Sequence, residues 1–280
     1  MTCVDVQTPP LPGVGALAYS QARRFIGLGD RDRPAVAIVT SAARKLQRFR
    51  LNNVLEHQRS LANTVAHTEL WSYQGEQICT LVSGVGGASI DRVFVTALLC
   101  GIRVFIRIGS AGALVPNATI GSLLVPTEAI GDSAVLRYYQ ERMPIQQHSG
   151  DLIARPSQAL LDPLRKTLSG LKGGPSIVFG RIFSTDLMMH EDDQTVEKYT
   201  RLKCVGADME TAPLLAGAMA YRAHAVSMHV VSDHIVQKSF YGDTPELFSA
   251  GVDQLHTVLR DFLPHAFEVA AQAEPCEYLS

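Results

Sequence analysis

The sequence predicts an α/β fold gathered into one domain. Three apolar runs carry the prediction: AVAIVTS ahead of Ala42, ICTLVS ahead of Gly84, and VFIRI ahead of Gly109. Each is rich enough in β-branched and aliphatic residues to be a buried strand. Each gives way at once to serine or glycine. Open α/β sheets place ligands at the carboxyl ends of their strands, so three such exits mark one end of the sheet as the site. No internal repeat, low-complexity segment or linker interrupts the chain. An irregular N-terminal arm over 1–33 and a single domain over 34–280 are the simplest division.

Composition narrows the function classes. The chain has 280 residues, 46% hydrophobic and 19% charged, which is the profile of an ordinary globular protein. A net charge of −2 offers no electrostatic footprint for nucleic acid or an anionic membrane. The five cysteines are scattered, with no CxxC, which fits reduced thiols in the cytoplasm better than a disulfide framework. No histidine or cysteine spacing suggests a metal site. The first residues lack a secretory signal and no apolar run is long enough for a bilayer, so a cytoplasmic location is expected.

Taken in order, the arm holds one short helix over 20–26. A GxGxxA match over 13–18 follows Pro-Pro-Leu-Pro rather than a strand, so it lacks the context of a dinucleotide site. The first strand follows Pro34, and Ser41 can cap a helix that carries Arg44 near its start. Residues 71–83 read as a hairpin turning at Gly75. The glycines 84–87 lead into a helix over 88–100. The run 104–108 is a strand ending in a Gly109-Ser110 turn. Residues 121–126 form another strand, and 131–150 a polar excursion. A helix over 157–169, a strand over 176–180, an irregular stretch over 181–193 and a polar helix over 192–202 follow. A short strand over 204–207, an Ala-rich helix over 210–221, an apolar strand over 225–232 and a last helix over 245–273 complete the chain.

Several residues stand out chemically. Arg107 interrupts an oily strand, and a buried guanidinium is costly unless an anion pairs with it. It either snorkels at a sheet edge or holds a small oxyanion together with Ser110. Arg44 sits where the first strand meets a helix start, a place that favours anions. Asp208 and Glu210 flank Met209 at a strand–helix junction. Glu210 can serve the helix dipole or accept a vicinal diol. Asp233 ends a central strand. It either caps the next turn or, desolvated, serves as a proton donor. Methionines such as Met188 and Met209 are core filler or a polarisable wall for a flat base. His224, His229 and His234 match neither one helix face nor one strand face.

The segments IRIGSAG, GADMETAPLLAG and VVSDH, in that order, resemble the nucleoside phosphorylase family that contains bacterial purine nucleoside phosphorylases and uridine phosphorylases. The resemblance implies a single α/β domain with a mixed, barrel-like central sheet surrounded by helices. It implies cleavage of a nucleoside by inorganic phosphate as co-substrate, with no cofactor and no metal. Arg44, Arg107 and Ser110 take the places of phosphate ligands. Glu210, Met209 and Asp208 fall at the ribose, and Ala111, Gly112 and Met188 at the base pocket. Asp233 takes the place of the donor to a departing purine. No Gln/Arg pair of the uracil-reading type stands in LMMHEDDQT, so a purine nucleoside is favoured. The family also implies a homo-oligomer, a dimer or trimer of dimers, with a nucleoside and phosphate as its ligands. Thr40-Ser41-Ala42 replaces the family's Gly-Asp-Pro, and His67 stands in a segment where many members carry an arginine. The alternatives are a uridine phosphorylase, a hydrolytic nucleosidase, and a non-catalytic nucleoside-binding protein on the same fold.

Overall fold

A computed structural model describes residues 19–41, 55–61, 67–142, 153–171 and 173–274. Arg44, the GxGxxA stretch and most of the arm lie outside the described residues.

The framework is one mixed sheet. Its strands are β1 (Val36–Thr40), β2 (Glu56–Leu61), β3 (His67–Tyr73), β4 (Glu76–Val82), β5 (Val104–Ala113), β6 (Leu123–Gly131), β7 (Ile177–Ser184), β8 (Cys204–Asp208), β9 (His224–His234) and β10 (Ser239–Phe240). They pair in the order β10-β9-β6-β7-β8-β5-β1-β4-β3-β2, and β9 also pairs with β5. That extra pairing closes β5, β8, β7, β6 and β9 into a five-membered ring, the barrel-like sheet implied by the resemblance. The strands β1, β4, β3 and β2 extend outward from β5. The hairpin β3–β4 turns through Gln74 (φ 52°) and Gly75 (φ 90°), the left-handed pair that a two-residue loop requires.

Among the described residues the helices are α1 (Tyr19–Phe25), α2 (Gly87–Leu99), α3 (Ala134–Arg142), α4 (Gln158–Ser169), α5 (Asp193–Arg201), α6 (Thr211–Ala220) and α7 (Pro245–Gln272). One core layer joins α1, α2 and α6 to one sheet face through Phe94, Phe105, Leu214 and Leu215. A second joins α4 and α7 to the other face through Ile38, Trp71, Leu164 and Phe262. Helix α6 is apolar almost all round, as a helix buried between sheet and neighbours must be. None of the described helices is long and apolar enough to cross a membrane.

Four expectations change. From Tyr19 on, the arm is built into the domain: Ala22, Ile26 and Leu28 belong to the same core as Phe94. Strand β5 does not end at Gly109 but continues to Ala113, because β9 pairs with it over its whole length. Residues 181–184 continue β7, with Ser184 beside Asp208 of β8. The polar excursion after Gly131 contains α3. Its Leu136 and Tyr139 are buried against the core, and that sparse apolar face is easily missed in a polar sequence.

Candidate active site

The long pairing of β5 with β9 carries Arg107 into a buried polar network. Arg107 is 2% exposed. Its Nη2 lies 3.1 Å from Asp208 Oδ2 and donates to Glu210 Oε2. Its Nη1 lies 3.0 Å from His229 Nδ1. A guanidinium only donates, so Nδ1 must be the accepting nitrogen and the ring proton sits on Nε2. That nitrogen is 2.9 Å from Ser227 Oγ and 3.0 Å from Thr211 Oγ1. The His229 ring is fully buried within this network. Gly109 is needed for this packing rather than for a turn, since a Cβ there would stand 3.0 Å from His229 Nδ1.

The junction between β8 and α6 supplies the acids. Asp208 accepts from Ser184 Oγ at 2.5 Å, Thr211 Oγ1 at 2.7 Å and Thr211 N at 3.0 Å. It thereby caps the amino end of α6. Burial pushes its carboxyl up. The Arg107 guanidinium, then the His229 ring, then the Ser184 and Thr211 hydroxyls together outweigh burial and hold it below the ordinary carboxylate range. Asp208, expected at the ribose, is thus an anchor for Arg107. Its oxygens are already taken inside the chain. Glu210 is different. Its Oε1 accepts from Gly86 N at 2.7 Å, and Oε2 takes Arg107. A carboxylate has about four acceptor sites, so two remain for a diol.

Asp233 stands across from Gly112 in the β5–β9 register, past a bulge at Ala111/Gly112. A Cβ on Gly112 would come within 2.6 Å of Asp233 Oδ2, so the glycine makes room for the carboxyl. Ser232 Oγ donates to Asp233 Oδ1 at 2.7 Å. Burial nevertheless raises the Asp233 carboxyl above its ordinary value. Ala111 and Gly112 are buried beside it, Met209 is half-buried, and Met188 is exposed on a 3-10 turn (Met188–His190). Asp186, two residues before that turn, accepts from Gly87 N at 3.3 Å and so ties it to the start of α2. Ser110 is half-buried on β5, three residues beyond Arg107. At the end of β1, Thr40 Oγ1 is buried with no hydrogen-bond partner among the described residues.

The structure therefore brings Arg107, Asp208 and Glu210 into direct contact, and Gly112 and Asp233 onto facing positions. Arg44 cannot be placed with them. His229, Thr211, Ser184 and Gly86 belong to the network, yet sequence reasoning gives none of them a role. His229 has one legible signal: it interrupts the apolar run AVSMHVV two residues after Ser227, on the same strand face. Among the described residues no group of three His, Cys, Asp or Glu is placed to hold a metal ion.

Residues 36–264 match the sequence profile of the Phosphorylase superfamily. The chain belongs to that superfamily. A purine nucleoside phosphorylase DeoD-type of Myxococcus xanthus is 28% identical over 169 residues, covering 59% of this chain and 66% of that protein. The match thus spans just under two thirds of that relative's length. The fold is shared with uridine phosphorylase from Vibrio fischeri ES114 at a TM-score of 0.70 and 21% identity, over 94% of this chain and 99% of that one. It is also shared with futalosine hydrolase of Helicobacter pylori at a TM-score of 0.65 and 15% identity, over 84% and 98%. In this superfamily member the organising pair of Arg107 and Glu210 joins the middle of one ring strand to the start of a core helix.

Proposed function

We propose that the chain cleaves the N-glycosidic bond of a purine nucleoside with inorganic phosphate, giving free base and ribose 1-phosphate. The observation that carries this reading is Glu210. It is buried, oriented by Gly86 and Arg107, and has acceptor capacity left for a ribose diol. As the glycosidic bond lengthens, positive charge grows on the sugar and negative charge on the base. Glu210 fixes the sugar hydroxyls. Arg107 has five N–H donors, of which three are engaged by Asp208, Glu210 and His229; the other two, on Nε and Nη1, lie on different edges of the guanidinium, so one of them serves a phosphate oxygen. Phosphate held there attacks C1′ once positioned. Asp233, its pKa raised by burial, donates its proton to the departing ring nitrogen. The Thr40 hydroxyl at the end of β1, unpartnered among the described residues, adds support for a polar ligand at that strand end. The oligomer belongs to this proposal, and light scattering of the purified chain tests it.

A hydrolytic reading also has an observation in its favour. Arg107 contributes one positive charge and Asp208 and Glu210 two negative ones, so this network is net negative before any anion arrives. A phosphate dianion then needs Arg44 or another cation, whereas water does not. Release of free base from inosine, adenosine and uridine, with and without phosphate, decides. Phosphate-dependent release from the purine nucleosides is the expected result. Release without phosphate makes it a hydrolase. Release from uridine alone makes it a uridine phosphorylase. Binding with no release removes catalysis.

A further inference from the structure

An aromatic ring stands beside Asp233 with half its surface in water. Phe240 lies on β10, the two-residue strand at one end of the sheet order, and is 51% exposed. In the antiparallel pairing of β10 with β9 it stands directly opposite Asp233. Asp233 in turn stands opposite Gly112 of β5. We propose that Phe240 is a specificity-determining residue of the leaving-group end: its ring is the platform on which the heterocycle stacks while Asp233 meets a nitrogen at the heterocycle's edge. This rests on the phosphorolytic reading of Asp233 and adds a binding role to the same site.

Register supplies the geometry. Directly opposite residues of an antiparallel pair point to one sheet face, with Cβ atoms about 5 Å apart. Gly112 shares that face, since a Cβ there would stand 2.6 Å from Asp233 Oδ2. The row Gly112, Asp233, Phe240 therefore crosses three adjacent strands as a gap, a carboxyl and an aromatic ring. Ser232 Oγ already donates to Asp233 Oδ1, so Oδ2, the oxygen on the Gly112 side, is left for the base.

The ring is held in place by its neighbours. Phe240 N donates to Asp243 Oδ2 at 3.0 Å, and Asp243 N donates to the Phe240 carbonyl at 2.9 Å. Tyr241 N donates to the Ser232 carbonyl at 2.7 Å, which ties the short strand to the residue before Asp233. The Phe240 and Tyr241 rings pack with centroids 4.2 Å apart, and Tyr241 packs on Phe248 at 4.9 Å. Phe248 sits in the first turn of α7 and packs on the second core layer. Three rings thus run outward from the core, and the outermost keeps an uncovered face.

A flat heteroaromatic ring with an acceptor nitrogen at its edge satisfies both groups at once. Its π-face covers Phe240, and its edge meets Oδ2. A bicyclic purine offers the larger face, so it gains more from the platform than a uracil does.

The test compares the wild-type chain with Phe240→Ala and Phe240→Trp. Base stacking on an aromatic side chain is worth about tenfold or more in affinity on truncation to alanine. Phe240→Ala should therefore raise the KM for inosine about tenfold, leave the KM for phosphate unchanged, and lower the inosine-to-uridine ratio of kcat/KM. Phe240→Trp should restore the inosine KM. Damage to the fold alone lowers the active fraction, and so kcat, without raising one KM selectively. A second readout needs no turnover. Trp71, the only tryptophan in the chain, is fully buried. In Phe240→Trp the introduced indole is then the solvent-facing emitter, and adenine or hypoxanthine should quench it while leaving wild-type fluorescence unchanged. An unchanged inosine KM in Phe240→Ala, or no quenching in Phe240→Trp, overturns the proposal. A changed molar mass of Phe240→Ala in light scattering, with the inosine KM unchanged, makes the ring a contact between copies and overturns it too. Should the wild-type chain release no base while the introduced indole is still quenched, the phosphorolytic reading fails and the platform stands.

Discussion

Replacing Asp208 with alanine tests whether the Arg107 network is as tightly bound up with the fold as its geometry implies. The carboxylate receives Ser184 Oγ, Thr211 Oγ1, Thr211 N and Arg107 Nη2 within 3.1 Å, and its side chain is 1% exposed. Truncation strips these four donors of their acceptor. Breaking one side of a buried ion pair costs about 3–5 kcal/mol. Glu210 still neutralises Arg107, which places the expected loss near the lower bound, about 3 kcal/mol, or roughly a hundredfold in the folding equilibrium. Asp208→Asn keeps the volume and one accepting oxygen, so about half of that loss is expected. Urea unfolding followed by far-UV circular dichroism measures both. The pH dependence supplies a sign. The Asp208 carboxyl is held below its ordinary value, so its contribution is present above the unfolded-state pKa and lost as pH falls through the folded-state one. The gap between wild type and Asp208→Asn should be constant above about pH 5 and close below about pH 4. A loss under about 1 kcal/mol for the alanine variant, or a gap that widens in acid, refutes the reasoning.

Three further outcomes follow from single contacts. Asp233→Asn should lower turnover of 6-oxopurine nucleosides by at least roughly tenfold, as for loss of a general acid, and near-normal turnover would remove Asp233 from that role. Gly112→Ala places a Cβ 2.6 Å from Asp233 Oδ2 and 2.7 Å from Ile235 Cγ1. It should cost about 1–3 kcal/mol in urea unfolding and displace the carboxyl, so kcat should fall as well. Thr80→Val removes the acceptor 2.9 Å from the indole N–H of Trp71, the only tryptophan in the chain. Loss of this buried hydrogen bond should cost about 1 kcal/mol, read directly in the unfolding of tryptophan fluorescence.

Strands are legible in this sequence wherever burial is two-sided, because a continuous apolar run needs no alternation to be recognised. The runs at β1, β4 and β9 are of this kind. Arg107, Glu210 and Asp233 are legible because each is a charge at the end of, or inside, such a run. What escapes the sequence is local chemistry overridden by pairing. Gly109 and Ser110 read as a turn, yet β9 offers a partner for every residue there, and a glycine that clears space looks the same in sequence as one that bends the chain. Residues 181–184 look irregular because Gly180 and Arg181 break the apolar pattern. In the structure Arg181 leaves the core to meet Glu128 Oε1, 2.6 Å away. His229 is hard to find because its significance lies in register: Gly109 faces it across the parallel ladder. Register between strands far apart in the chain is not written in either strand alone. Asp208 shares its neighbourhood with Glu210, and only the placement of Ser184 and Thr211 shows that the Asp208 carboxylate is engaged inside the chain.

The closure of five strands into a ring has a consequence for solubility. A sheet that wraps onto itself leaves few unpaired ladders to recruit another chain. Here β2 and β10 stand at the two ends of the strand order. The first carries Glu56, His57 and Arg59, exposed and flanked by polar residues, and the second is two residues long. Charge and brevity are both guards against strand-to-strand aggregation.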